Sequence, residues 1–302
     1  MRAPKPLPKP DYVLMFMTLL WGGTFIITRN ALTLINPLLF IAARFGVAAL
    51  LLFTLLRPNL LALRKRDIAA GLLIGVTLCF GYGLQAIGLR SVASAQSSFL
   101  TALYVPMVPL IEFLAFRRRP QPVAALGIAV AFLGLILVSG QNLHRLHLAL
   151  GEWLTLGGAL AAAIEIVLIS RLAKGTDPRR MALVELVSVS LLALLASFLL
   201  PLPHPPAQTI PTISRTGLAL SILVMGVATA FIMVAQNWAQ SLVSANRATI
   251  IYTMEPVWAA LIGATFGESF RAAQILGAGL IIASVALSQW RSSAPAEPIT
   301  PH

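Results

Sequence analysis

Charge is what this sequence has little of. Only 11% of its 302 residues are Asp, Glu, Lys or Arg, where a soluble domain carries about 25%. So few charges cannot cover a water-facing surface. Cysteine is scarcer still: Cys79 is alone, which excludes an intrachain disulfide and a cysteine-built metal site. No G-x-x-x-x-G-K-S/T loop and no H-E-x-x-H pair occur, so the chain holds neither a nucleotide-hydrolysing cradle nor a zinc-protease helix. His144, His147, His204 and His302 all fall in expected loops or the tail. No Ser/His/Asp set can be assembled within the apolar segments. Catalytic residues, a cofactor and a bound metal are therefore not expected, and the chain does not read as an enzyme.

What is there is apolar sequence: 58% hydrophobic residues, with mean hydropathy +0.87. The hydrocarbon core of a bilayer is about 30 Å thick and a helix rises about 1.5 Å per residue, so a span takes about 20 residues. Ten runs meet that length: 12–33, 38–56, 67–88, 97–116, 121–139, 152–171, 181–200, 216–236, 247–267 and 273–290. Strands of alternating polarity, the mark of a membrane barrel, are not seen. The expected fold class is all-α and integral to the membrane. "PLPHPPAQTIP" (201–211) reads as an extended outer loop. The first span is too long for a signal-peptide core and lacks a small-residue cleavage site, so it is expected to be retained.

The net charge of +12 is a topology signal. With the N-terminus inside, the inner side holds Arg2, Lys5, Lys9, Arg57, Arg64, Lys65, Arg66, Arg117, Arg118, Arg119, Arg171, Lys174, Arg179, Arg180, Arg247 and Arg291. The outer side holds Arg29, Arg90, Arg145, Arg215 and Arg271, and Arg44 lies within a span. Sixteen against five is a positive-inside bias that puts both termini in the cytoplasm, in a plasma (inner) membrane. Nucleic acid is not an expected partner; a small solute and the bilayer are. Tyr12, Trp153 and Trp290 sit at span boundaries, where amphipathic rings favour the headgroup layer.

The chain also repeats itself. "SAQSSFLTALYVPMVPLIEFLAF" (94–116) aligns without gaps on "SANRATIIYTMEPVWAALIGATF" (244–266), matching Ser94/Ser244, Ala95/Ala245, Pro106/Pro256 and Phe116/Phe266. Leu126/Leu276 and Gly127/Gly277 follow, and at a slightly smaller shift Arg29 meets Arg171 and Pro37 meets Pro178. Each half, 1–140 and 141–302, holds five expected spans. Five is odd, so the second half runs inverted through the membrane. Two inverted five-helix repeats around a central cavity can open it to one side and then the other, which is the architecture of a secondary transporter.

"LLWGGTFIITRNAL" in the first span, followed by Pro37 and Arg44, and "MEPVWAALIGATFGESFRAAQILGAGLIIASVAL" (254–287) resemble the EamA family of the drug/metabolite transporter superfamily. One departure is visible: Gly267-Glu268 of the second half is replaced by Arg117-Arg118 in the first. The resemblance implies ten helices around a cavity lined mainly by the first, third, fourth, sixth, eighth and ninth spans. It also implies export of small metabolites, notably amino acids and their relatives, or of drugs and amines.

Two acids lie deep in apolar runs. Glu165 is about 9 Å and Glu255 about 14 Å from the cytoplasmic ends of their spans, at 1.5 Å per residue. A charge near a helix centre costs about 2.5–3.5 kcal/mol to insert, so such residues face the bundle interior and serve binding or proton relay. For Glu165 the alternative is pairing with Arg171 to fix packing. For Glu255 it is satisfying the helix kinked by Pro256. The first half offers only Gly23 and Val105 at the matching positions, an asymmetry that an amine-bearing solute or a coupled proton accounts for. Arg44 and Glu185 occupy matching positions near membrane faces, Arg44 to snorkel outward and Glu185 to meet Arg179 or Arg180. Glu112 is assigned no site role.

Trp21, Thr24, Tyr82, Gln85, Tyr104, Gln236, Tyr252 and Trp258 lie deep enough to touch a solute, by aromatic faces, cation–π contact or polar ends; each could equally be packing. Gly71-x-x-x-Gly75 and Gly263-x-x-x-Gly267 read as close helix contacts. Pro106 and Pro256 read as hinges. The favoured function is export of amino acids or related amine-bearing solutes by alternating access, with a monomer sufficient. Proton-coupled export of organic cations is the rival within transport. An intramembrane enzyme and a lipid scramblase are rivals from other classes.

Overall fold

Helix starts are written plainly into this chain. Asn36 and Asp177 each precede a proline, and each side chain accepts hydrogen bonds from the first backbone amides that follow. Pro37 and Pro178 then occupy the first helical position, where the missing N–H has no intrahelical partner to lose. Ser214 and Ser244 cap two further helices in the same way, accepting from Gly217 N and Arg247 N. Burial opposes charge on Asp177, yet hydrogen bonds from Arg179 hold its carboxyl below the usual aspartate range.

The computed structural model describes residues 9–57, 60–92, 94–117, 122–139, 149–200, 202, 213–265 and 272–290. They form twelve helices: α1 (Pro10–Ala31), α2 (Pro37–Leu51), α3 (Lys65–Gly88), α4 (Ser94–Ala102), α5 (Tyr104–Phe116), α6 (Pro122–Ser139), α7 (Leu150–Leu172), α8 (Pro178–Leu199), α9 (Arg215–Gln240), α10 (Ala245–Tyr252), α11 (Met254–Thr265) and α12 (Ala272–Trp290). A π-helical turn, Leu52–Leu56, extends α2. The expected loop 201–211, the Gly267-Glu268 turn, the second glycine of the Gly263/Gly267 pair and the four histidines lie outside the described residues, save Leu202.

Among the described residues, seven stretches are long and apolar enough to cross a bilayer: Pro10–Ala31, Pro37–Leu55, Lys65–Gly88, Gln96–Phe116, Leu150–Leu172, Pro178–Leu199 and Arg215–Gln240. The other three expected spans fall on α6, α12 and the α10/α11 pair, whose apolar stretches are shorter or interrupted. The surface carries Leu50, Phe80, Leu133, Leu150, Trp153 and Phe198, all well exposed, while Thr18, Arg44, Glu165, Glu185, Gln236 and Asn237 are buried. Apolar groups outside and polar groups inside is the arrangement a hydrocarbon solvent selects.

Packing pairs are matched between the halves. α1 lies against α9, α10 and α11; α7 lies against α3, α4 and α5. α3 packs on α8 as α9 packs on α2, while α2 meets α8 and α6 meets α12. Exchanging the halves maps these pairs onto themselves. The first-turn acids follow the same rule. Arg247, in α10, donates to both oxygens of Asp11 at 2.8 and 2.9 Å, and Gln96, in α4, donates to Glu152 at the start of α7. The Gly71/Gly75 face meets α8: a Cβ at Gly71 would come within 2.7 Å of Val184, and one at Gly75 within 2.6 Å of Ser188. Small residues there let the two backbones touch.

Each half breaks one span. Leu103 separates α4 from α5 and Thr253 separates α10 from α11, and at both the backbone N–H bonds back three residues, to Leu100 and Ile250. Pro106 and Pro256 sit three residues further on, in the first turns of α5 and α11. The kink expected at Pro256 takes the form of a helix break three residues upstream, and Pro106 has the same arrangement. Neither proline can donate to the carbonyl four residues before it, so the old helix ends upstream and the proline joins the first turn of a new one.

Candidate solute-binding site

The interruptions place side chains on both sides of a central cavity. Thr101 and Tyr104 flank Leu103, and Tyr252 and Glu255 flank Thr253. The rest of the wall comes from Trp21, Thr24 and Phe25 of α1, Thr77, Leu78, Gly81, Tyr82 and Gln85 of α3, Gly158, Ala162, Glu165 and Ile166 of α7, and Gln236 of α9. These are the six spans to which the family resemblance pointed. Nine of the ten expected solute-contacting residues meet there: Trp21, Thr24, Tyr82, Gln85, Tyr104, Glu165, Gln236, Tyr252 and Glu255. Trp258 stands apart. Its indole N–H donates to the Thr18 hydroxyl at 3.0 Å, where α11 crosses α1 beside Gly22.

Polar contacts hold the walls in place. Gln236 Nε2 donates to Glu165 Oε1 at 2.8 Å. Gln240 Nε2 donates to the Tyr252 hydroxyl at 2.7 Å, and Gln85 Nε2 to the Thr101 hydroxyl at 2.9 Å. The Tyr252 ring meets Trp21 edge-on, with centroids 5.0 Å apart. Glu255 falls in the first turn of α11, where the exposed amide ends of the helix favour a negative group. Three buried polar atoms on the wall, Trp21 Nε1, Tyr104 Oη and Gln236 Oε1, have no hydrogen-bond partner among the described residues.

Several expected partners are different ones. Glu165 pairs with Gln236 and not with Arg171. Arg171 instead lies 3.8 Å from Glu112, which also accepts from Asn246 at 2.9 Å, so Glu112 joins α5 to α7 and α10. Arg44 does not snorkel. It is only 2% exposed, its Nε donates to the Thr229 hydroxyl at 2.6 Å, and its guanidinium lies 5.0 Å from the centroid of Tyr82. Glu185 does not reach Arg179 or Arg180; it is fully buried and accepts from Asn237 at 2.9 Å. Position along a helix locates a residue in depth, but which face it occupies decides burial, and both of these face α9. Gly81 and Gly158 were legible only as small residues. A Cβ on Gly158 would lie 2.9 Å from the Gly81 carbonyl, so α3 and α7 meet there and close one wall.

A polar, acid-bearing cavity inside an apolar helical bundle defines an integral membrane protein built to hold a solute within the bilayer. The chain matches the EamA-like transporter family over residues 9–140 and again over 149–290, and it belongs to that family, within the drug/metabolite transporter superfamily. It is 27% identical over 283 residues to an uncharacterised transporter of Archaeoglobus fulgidus, covering 93% of this chain and 86% of that one. It is 24% identical over 285 residues to the uncharacterised transporter YoaV of Bacillus subtilis, covering 92% and 95%. A solved crystal structure superposes with a TM-score of 0.73 at 15% identity, over 95% of this chain and 98% of the other, and shares the fold. The protein is a membrane transporter.

Proposed function

We propose that the protein exports small metabolites, most directly amino acids or related amine-bearing solutes, by alternating access. The observation that carries this reading is the convergence of Glu165 and Glu255 on one aromatic-walled cavity whose lining includes no Lys or Arg. Two carboxylates beside Trp21, Tyr82, Tyr104 and Tyr252 offer charge and cation–π contact to an ammonium group. The unpartnered Trp21 N–H supplies a donor for the solute's carboxylate or other polar end. The same acids support the second reading, proton-coupled export of organic cations, since either could exchange a proton for the solute.

In this reading ten helices form two inverted repeats, 1–140 and 141–302, with both termini cytoplasmic in the inner membrane. The matched packing of the halves supports it. A monomer suffices, because the cavity is complete within one chain. Pro106 and Pro256 set the hinges, with rotation at Leu103 and Thr253. Purified protein in liposomes, challenged with labelled amino acids and organic amines, tests the proposal. Saturable flux of unaltered amino acids supports it. Flux of organic cations alone selects the second reading, and no flux of either class removes both.

A further inference from the structure

A further buried acid lies behind the cavity wall, and the transport reading leaves it unused. Glu185 of α8 and Asn237 of α9 are both fully buried. Asn237 Nδ2 donates to Glu185 Oε2 at 2.9 Å. That leaves Glu185 Oε1 and Asn237 Oδ1, both buried and both without a hydrogen-bond partner among the described residues. Two orphaned acceptors in one bonded pair of side chains share a single deficiency, which is a donor.

Among the described residues no cation bonds to either oxygen. α8 packs on α2, α3 and α9. On α2, Arg44 gives its Nε to Thr229 and lies near the Tyr82 ring, and its Nη2 is itself without a partner among the described residues. The charged groups of α3, Lys65, Arg66 and Asp67, stand at its start, and its Cys79 and Tyr82 carry no positive charge. Arg215 begins α9 at the opposite end from Asn237. On α8 itself, Arg179 and Arg180 are held near Asp177 at the helix start.

We propose that Glu185 is a second proton-binding site, occupied as the neutral acid and closed against the Asn237 amide. A carboxylic acid and a primary amide have complementary edges: the amide N–H donates to one acid oxygen, and the acid O–H donates to the amide oxygen. One proton satisfies both orphaned acceptors, whereas a carboxylate would keep them unsatisfied in a buried site. The neighbouring residue of α9 repeats the motif, since Gln236 donates to Glu165 and keeps a buried unpartnered oxygen of its own. α9 thus presents consecutive amides to two acids, one open to the solute cavity and one sealed behind it. The site itself stands apart from the transport proposal; only its link to solute movement, through a shift of α9, rests on that reading.

Infrared difference spectroscopy of the reconstituted protein at pH 7, without solute, reads the proton directly. In a Glu165→Gln/Glu255→Gln background, which leaves Glu185 untouched, a protonated-carboxyl C=O band is expected that exchanges slowly with deuterated water. Adding Glu185→Gln, which keeps an amide in the same place, should remove that band. Asn237→Leu should retain it and shift it to higher frequency as the hydrogen bond is lost. If the double variant shows no protonated-carboxyl band, or if Glu185→Gln leaves the band in place, Glu185 is ionised and the proposal is overturned. A failure of solute flux would not touch this result.

Discussion

Gln236 matters as much to Glu165 as depth in the membrane does. Its amide supplies the 2.8 Å hydrogen bond that fixes the carboxyl on the cavity wall, and hydrogen bonds to charged groups contribute about 1.5–3 kcal/mol. Gln236→Leu is expected to weaken solute binding about tenfold or more, measured by ligand-induced fluorescence change in detergent. Arg44 is held by its fork, with Nε on Thr229 and its plane near the Tyr82 ring. A lysine ammonium cannot do both. Arg44→Lys should lower stability by about 1–3 kcal/mol, seen as a lower unfolding temperature of the purified protein. At this scale the acids that line the cavity were legible, because an acid deep in an apolar run is costly enough to announce itself. Its partners were not. Asn237 and Thr229 are uncharged and common in membrane helices, and only the rotation of α9 turns them toward Glu185 and Arg44.

The helices were legible in place and approximate length, since most apolar runs are bounded by caps, prolines or arginines; their number was not, as ten expected runs became twelve helices. The breaks within two of the runs were marked only by Pro106 and Pro256, because "TALYVPMVPL" and "IIYTMEPVWA" are mainly apolar and hydropathy has no term for a lost backbone bond. If the prolines define these breaks, Pro106→Ala and Pro256→Ala restore a donor to the Ala102 and Tyr252 carbonyls and stiffen the joint. Turnover should then fall more than solute affinity, a split that flux and binding measurements on the same preparation resolve. At the end of α5, Arg117 adopts φ 54°, a left-handed conformation that a side chain makes costly and glycine does not. The matching position in the second half is Gly267. Arg117→Gly should therefore stabilise the protein by about 1 kcal/mol, read as a rise in unfolding temperature.

Across the whole molecule, the matched packing of α1 with α9–α11 and of α7 with α3–α5 frames an asymmetric site. Both acids come from the second half, on α7 and α11, while the first half supplies Trp21, Tyr82 and Tyr104. In the proposed reading, symmetry serves the movement and asymmetry serves the cargo. The repeat was visible in sequence from a handful of identities, because each half must solve the same packing problem. The asymmetry was visible because no packing rule calls for an acid in one half only. The most direct test loads proteoliposomes with a pH-sensitive dye and adds an amine-bearing solute to wild type and to Glu165→Gln. Solute entry by wild type, with its rate or its accompanying proton movement lost in the variant, is the expected result. Equal solute and proton fluxes in the two proteins would contradict a cavity organised around Glu165.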